Sequence, residues 1–380
     1  MTPPPTRGSD LTDFSAGHVF TEVRGRVGFI TLNRPSALNA LSLPMIRALT
    51  ASLMAWQTDE RIGAVAFRGM GKAGPFGLFC AGGDIRFFFQ AVLAGNAELE
   101  DFFTEEYALN HLIHTYPKPT LAFMDGIVMG GGMGIAQGTT HRLVTEKTRM
   151  AMPETGIGLF PDVGGGYFLG RCPGAVGEWL ALTGETIGAG DAIVFGLADH
   201  CIALASQAVI WEALGAAQLD LPSALDDMIA PYLIASQAMI TGAIADIDAI
   251  FSLNSVSAIV QALEGNGSSP WAAQTAARLR LNSPLMLHVT LAQIRRARSL
   301  GLADELRMER DMIRHCFNPL HLGRNPAASE TTEGIRALAV DKDRTPKWNP
   351  ASIEDVMADM VAPFFESPWP GFAHPLRGLA

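Results

Sequence analysis

The chain has 380 residues, of which 48% are hydrophobic and 17% charged, with a formal net charge of −10. That length holds two or three domains, or one large domain with an appendage, and the composition supplies a large core. The acidic balance argues against a nucleic-acid partner, although local basic groups can still hold a small phosphorylated ligand; no apolar, uncharged run reaches the roughly eighteen residues of a membrane span.

Met1 to Phe14 contains three prolines, Asp10 and Asp13. It lacks the apolar run of a secretory signal and the basic, acid-poor character of a mitochondrial presequence, so a short leader on a cytoplasmic protein is expected. Val19–Val23 and Val27–Leu32 read as two strands around a turn at Gly25. Ser42 is placed to cap a helix with Pro44 in its first turn and apolar residues through Trp56. Ala64–Phe67 is a buried strand, followed by a glycine-rich loop and then Phe79-Cys80-Ala81-Gly82-Gly83-Asp84. Asp84 can cap a helix running through Val92. The unit recurs: strand Thr120–Met124, Asp125-Gly126, Ile127–Met129, then Gly130-Gly131-Gly132, within which a helix begins. Leu143–Val144 and Met150–Met152 are two further strands. Helices follow around Trp179–Leu182 and Ala189–Phe195. Strand, glycine turn and helix therefore repeat, the pattern of a layered α/β domain. From Ser206 to about residue 315 helical spacing dominates. The tail carries two helix-breaking clusters, Asn318–Ala328 and Asp343–Pro350.

Pro153–Gly166 is the candidate for chemistry. Glu154 and Asp162 each follow a proline, among glycines and apolar residues, with no lysine or arginine in the stretch. Such carboxylates either make turns or carry perturbed, functional ionisation. Consecutive glycines between strand and helix at Gly82-Gly83 and Gly130-Gly131-Gly132 serve either close packing or the approach of two N–H groups to one oxygen. The dinucleotide fingerprint fails on spacing at Gly130, Gly132 and Ile135. Gly71-Lys72-Ala73 does not complete a P-loop, and neither a G-x-S-x-G elbow nor an H-E-x-x-H zinc motif is present. His111 and His114 are spaced as a ligand pair or as ordinary histidines. Cys80, Cys172, Cys201 and Cys316 are far apart and read as reduced, buried thiols.

Asn33-Arg34-Pro35 with Leu38-Asn39-Ala40-Leu41, Phe79–Ile85 and the Gly130 run resemble the enoyl-CoA hydratase/isomerase (crotonase) superfamily. Met152–Gly164, Glu105-Glu106-Tyr107, Asp341-Lys342-Asp343 and Pro346-Lys347-Trp348 are similar to its 3-hydroxyisobutyryl-CoA hydrolase branch. The resemblance implies an α/β fold, a crotonase-like spiral of repeated β-β-α turns with a helical C-terminal region. The spiral core would span 18–205 and the helical region 206–360, with tails at 1–17 and 361–380. It also implies an oxyanion hole from the backbone N–H groups of Gly83 and Gly131. Glu154 and Asp162 would be catalytic, with Glu106, Gly82 and Asp84 contacting the substrate. Where hydratases carry a first catalytic glutamate this chain has Gly134, which argues against hydration. The expected activity is hydrolysis of a short β-hydroxyacyl-CoA, 3-hydroxyisobutyryl-CoA of valine breakdown above all. The alternatives are an enoyl-CoA hydratase or isomerase, and a non-catalytic acyl-CoA-binding protein. No metal and no cofactor are expected, since coenzyme A is part of the substrate. The expected partner is the acyl-CoA substrate, with no nucleic acid and no membrane. The chain either forms a homo-oligomer or folds its C-terminal helices back on its own subunit. The segment Thr331–Ala337 departs from the branch's usual run; if it borders the acyl pocket, substrate preference shifts.

Overall fold

The computed structural model describes residues 15–216 and 223–380, so the expected leader Met1–Phe14 lies outside the described residues. Two compact units interleave along the chain. One takes in the described residues up to Gly83, Leu112–Met150 and Ile187–Ala238; the other takes in Asp84–His111, Ala151–Thr186 and Met239–Ala380. Compactness thus divides the chain differently from the change in composition near residue 205.

The first unit is built on strands. β1 (Val19–Arg24) and β2 (Val27–Leu32) form an antiparallel hairpin, and β3 (Ala64–Gly71), β5 (Thr120–Met124), β7 (His141–Val144) and β9 (His200–Cys201) extend it in parallel. β4 (Gly74–Pro75) pairs back on β3, while β6 (Ile127–Met129) and β8 (Arg149–Ala151) are short strands outside this sheet. Parallel pairing demands crossover connections, which is why strand, turn and helix recur in the sequence. β2, β5 and the first half of β3 are buried throughout, as expected for strands covered on both faces. Alternate residues Val27, Phe29, Ala64, Ala66, Leu121, Phe123 and Leu143 line one face, against Ile210, Trp211 and Leu214 of helix Gln207–Ala216. Trp211 lies 4.6 Å from Phe29 and 5.4 Å from Phe123 between ring centroids. Truncating a buried aromatic at such a centre costs about 3–5 kcal/mol.

Helix Leu43–Gln57 follows Ser42, but the serine side chain makes no cap bond, so the expected cap is corrected to a start set by Pro44 in the first turn. Asp84 caps helix Ile85–Ala94 by accepting from Phe87 N at 3.3 Å. All four cysteines are buried and none is in a disulfide.

The second unit is helical. Helices Pro284–Ala297 and Leu302–Phe317 each bury a broad face. Ser283 caps the first, accepting from Met286 N, and donates its own hydroxyl to Glu330 Oε2 at 2.5 Å. The helical reading of 206–315 is interrupted by residues 234–238, which form no regular secondary structure. Among the described residues no helix is long and apolar enough to cross a membrane.

Candidate active site

In the first unit a cradle is made by backbone. Cys80 N donates to Ile127 O at 3.0 Å and Met129 N to Cys80 O at 2.9 Å, laying the Phe79–Gly83 strip beside the strand that leads into Gly130. Gly82 (φ +110°) turns the strip, and Leu41 N holds its carbonyl at 2.8 Å. A Cβ on Gly82 would lie 3.6 Å from Gly131 N, so the two expected glycine runs do come together. Gly131 opens helix Gly131–Gln137, and as first residue it has no carbonyl one turn back for its N–H. Gly132 has a different job: a Cβ there would come within 2.4 Å of Cys80 O, so it is a packing glycine. Gly134 lies buried in the same helix and brings no carboxylate.

Asn39, in the left-handed region at φ +55°, organises this strip. Its Nδ2 lies 3.0–3.1 Å from the carbonyl oxygens of Met70, Leu78 and Phe79, and its Oδ1 accepts from Arg34 N at 2.8 Å. Cys80 is buried, with Sγ 3.2 Å from Asn39 O, which fits a small packed thiol.

The same unit holds a cavity of about 540 Å³, whose lining includes Leu38, Phe76, Asp125, Lys72, Lys147 and Arg149. That volume suits a small-molecule site. Asp125 is already held by Gly77 N at 2.6 Å, Thr145 Oγ1 at 2.6 Å and Gln207 Nε2 at 3.0 Å. The three cations leave the cavity with a net positive lining, fit for phosphate. Lys147 and Arg149 escaped the sequence reading because no phosphate motif contains them.

The second unit carries the acids. Glu154 opens a 3₁₀ turn, Glu154–Ile157, and is 6% exposed. Thr155 pins this turn: its carbonyl accepts from Ser283 N at 3.0 Å, and Asn282 Nδ2 reaches its hydroxyl at 3.0 Å. Gly158 sits at φ +70° with its carbonyl held by Thr331 Oγ1 at 2.6 Å; a Cβ there would meet Glu330 O at 2.2 Å. The divergent segment beginning at Thr331 thus packs on the loop between the two acids. Asp162, also 6% exposed, accepts from Tyr107 Oη at 2.8 Å.

Burial first, then the charge of Asp162, holds Glu154 well above the ordinary carboxylate range, and the same two causes act on Glu106. Burial lifts Asp162 itself to about 6, opposed by the Tyr107 hydrogen bond. Tyr107, pushed up by burial and by Asp162, keeps its proton and stays a donor. Glu154 Oε2 and Glu106 Oε1 are buried with no hydrogen-bond partner among the described residues, an arrangement that native structures tolerate where a reacting group is to be met. Glu106, Glu154 and Asp162 are therefore brought together. Asp84, by contrast, has its carboxylate on the Phe87 amide as a helix cap. His111 Nε2 lies 3.1 Å from Ala380 O, and the described residues hold no cluster of three metal-type side chains.

The sequence pattern of the enoyl-CoA hydratase/isomerase family matches residues 27–365. The chain belongs to that family. It is 39% identical over 376 residues to the 3-hydroxyisobutyryl-CoA hydrolase, mitochondrial, of Danio rerio, covering 95% of this chain and 92% of the relative. The protein of the same name from Gallus gallus is 37% identical over 353 residues, covering 91% and 88%. Among solved structures, a carnitinyl-CoA dehydratase from Mycobacterium thermoresistibile superposes with a TM-score of 0.84 at 36% identity, over 93% of this chain and 98% of its own. The α/β architecture with a parallel sheet and helical C-terminal region is that of the family's solved structures.

One expectation is overturned. The cytoplasmic location does not stand, because the vertebrate relatives that match over nine-tenths of the chain are named as mitochondrial. The composition of residues 1–14 is the only ground for that expectation.

Proposed function

We propose that the chain hydrolyses the thioester of 3-hydroxyisobutyryl-CoA, consuming one water and releasing 3-hydroxyisobutyrate and free CoA thiol. The observation that carries this reading is the buried acid group, Glu154 with Asp162, in a chain that has Gly134 where hydration needs a carboxylate. The names of the relatives from Danio rerio and Gallus gallus support the same reaction.

In this reading the N–H groups of Gly83 and Gly131 take the oxyanion that develops on the thioester carbonyl, an effect for which one donor is typically worth about 3 kcal/mol. Glu154 in its ionised form attacks the carbonyl carbon, giving a mixed anhydride that water then hydrolyses, or takes a proton from an attacking water. A carboxylate held in an apolar site is a stronger base than one in water, which suits either route. Asp162, oriented by Tyr107, binds the substrate hydroxyl or the water. The departing sulfur receives a proton and leaves as thiol. Glu106 offers its unpartnered Oε1 to the acyl group. The phosphates of the CoA moiety go to the basic cavity of Lys72, Lys147 and Arg149. No cofactor enters this scheme.

The test is release of free thiol from 3-hydroxyisobutyryl-CoA, followed with a thiol reagent, beside hydration of crotonyl-CoA. Hydrolysis without hydration is expected. Hydration alone would reassign the chain to the hydratases, and neither reaction at high enzyme concentration would leave an acyl-CoA binder.

A further inference from the structure

Glu309 and Gln293 have no part in the reaction above, yet both are fully buried against the loop that carries Asp162. Glu309, on helix Leu302–Phe317, accepts from Gly164 N at 2.8 Å through Oε2 and from Gly166 N at 3.1 Å through Oε1. Gln293, on helix Pro284–Ala297, donates through Nε2 to Pro161 O at 2.7 Å and to Glu309 Oε1 at 3.1 Å. The backbone is therefore gripped on both sides of Asp162, by its carbonyl just before and by two amides just after.

The loop requires such a grip. Val163 sits at φ +57°, a region that a β-branched residue enters only when its surroundings hold it there, and Gly164 follows at φ +85°. Gly166 is closely packed: a Cβ there would fall 2.2 Å from Glu305 Oε1 and 3.1 Å from Ala297 Cβ. Tyr107 fixes the Asp162 side chain, but only the loop fixes where that side chain starts.

We propose that Glu309 is a positioning residue for thioester hydrolysis: with Gln293 it holds the Pro161–Gly166 backbone so that Asp162 is presented in its working place. The proposal rests on the reading of Asp162 as a member of the acid pair. Three N–H donors converge on Glu309 and satisfy its buried oxygens. Glu305, one helical turn back on the same helix, is a neighbouring buried carboxyl that acts on Glu309. Burial raises the ionisation of both carboxyls, Glu305 to about 7 and Glu309 well above the ordinary carboxylate range. Asp162 from the loop, Tyr107 from helix Glu98–His114 and Arg171 beyond the short helix Gly165–Leu169 are the other charged or titratable groups acting on this pair.

The experiment is a cycle of Glu309→Gln and Gln293→Met, each made in the wild-type and the Asp162→Asn backgrounds, with thiol release from 3-hydroxyisobutyryl-CoA as the readout and a thermal melt as the folding check. In the wild-type background each single change is expected to lower kcat about 10- to 100-fold, the loss typical of a reacting group displaced by an ångström, with KM within about threefold. In the Asp162→Asn background the same changes are expected to cost less than about threefold, because their effect runs through Asp162. Equal losses in both backgrounds, or wild-type kcat in Glu309→Gln, would overturn the proposal. Should Glu309→Gln not fold, Gln293→Met carries the same comparison. A wild-type rate in Asp162→Asn would instead overturn the assignment of Asp162, whatever Glu309→Gln does.

Discussion

The glycine cradle of the strand-built unit and the acid loop of the helical unit solve opposite problems. In the cradle, Asn39 bonds three carbonyls, Asp125 has three donors, and Gly132 lets a helix start within van der Waals reach of Cys80. What is left to offer a ligand is backbone. Around the acid loop, Glu154 and Glu106 each bury an oxygen without a hydrogen-bond partner among the described residues, and burial and the charge of Asp162 push their ionisation upward. What is left there is titration. The cradle should therefore respond to changes of shape and the loop to changes of charge, and each variant below is a way to break that division.

The largest effect is expected at Glu154. Glu154→Gln keeps the shape and removes the base or nucleophile, so turnover should fall by at least about a hundredfold while acyl-CoA still binds. Kinetics with a parallel binding titration check this, and near-normal turnover would remove Glu154 from the mechanism. In the cradle, Gly132→Ala adds one methyl against Cys80 O at 2.4 Å. Overpacking of that kind costs about 1–3 kcal/mol, so a lower Tm with loss of hydrolysis is expected, although no charge has changed. Unchanged stability in a melt would show that Gly132 is not the packing glycine described above.

The basic cavity sharpens the contrast. Lys147→Ala and Arg149→Ala should each raise KM for the CoA ester about 5- to 20-fold and leave kcat alone, as loss of uniform binding does. A thioester truncated to an N-acetylcysteamine arm, which has no phosphate, should not register either change. Equal KM increases for both substrates would place these cations elsewhere in the account.

The smallest effect is on stability. Glu106 is raised in the fold, so its contribution is fully present below the unfolded carboxylate value near 4.5 and is lost as pH rises through the folded value. Glutamine copies the protonated form at every pH. Glu106→Gln should therefore raise Tm by about 1–3 °C at pH 8 and by less at pH 4.5. A lower Tm at pH 8 would mean that Glu106 has a favourable partner in the fold.

The cradle was the more legible of the two regions. Its glycines stand in short runs at strand ends, and local chain geometry makes their use readable from neighbours alone. Glu154 and Asp162 were legible as an odd composition, two acids among glycines and apolar residues. What holds them was not. Tyr107 is 55 residues from Asp162 and Glu309 is 145 residues from Gly164, contacts that only tertiary folding creates. Tyr107 at least adjoins Glu106 in a motif already singled out. Glu305 and Glu309 lie one turn apart on the same helix face, a pattern shared with ordinary solvent-facing acids, and nothing local separates the two cases. The serine at position 42 shows the reverse error: a residue type suited to capping, at the right place, with no cap bond made.

The coupling of Asp162 to Glu154 is the centre of the account, and the pH dependence of kcat/KM for thioester hydrolysis tests it most directly. Glu154 must lose its proton to act, and burial and the charge of Asp162 both hold that proton on. The acid limb of the wild-type profile should therefore lie above the ordinary carboxylate range. In Asp162→Asn, whatever the remaining rate, the limb should move to lower pH, because one of the two causes has been removed. A limb at the ordinary carboxylate value, or one that stays in place in Asp162→Asn, would contradict the account.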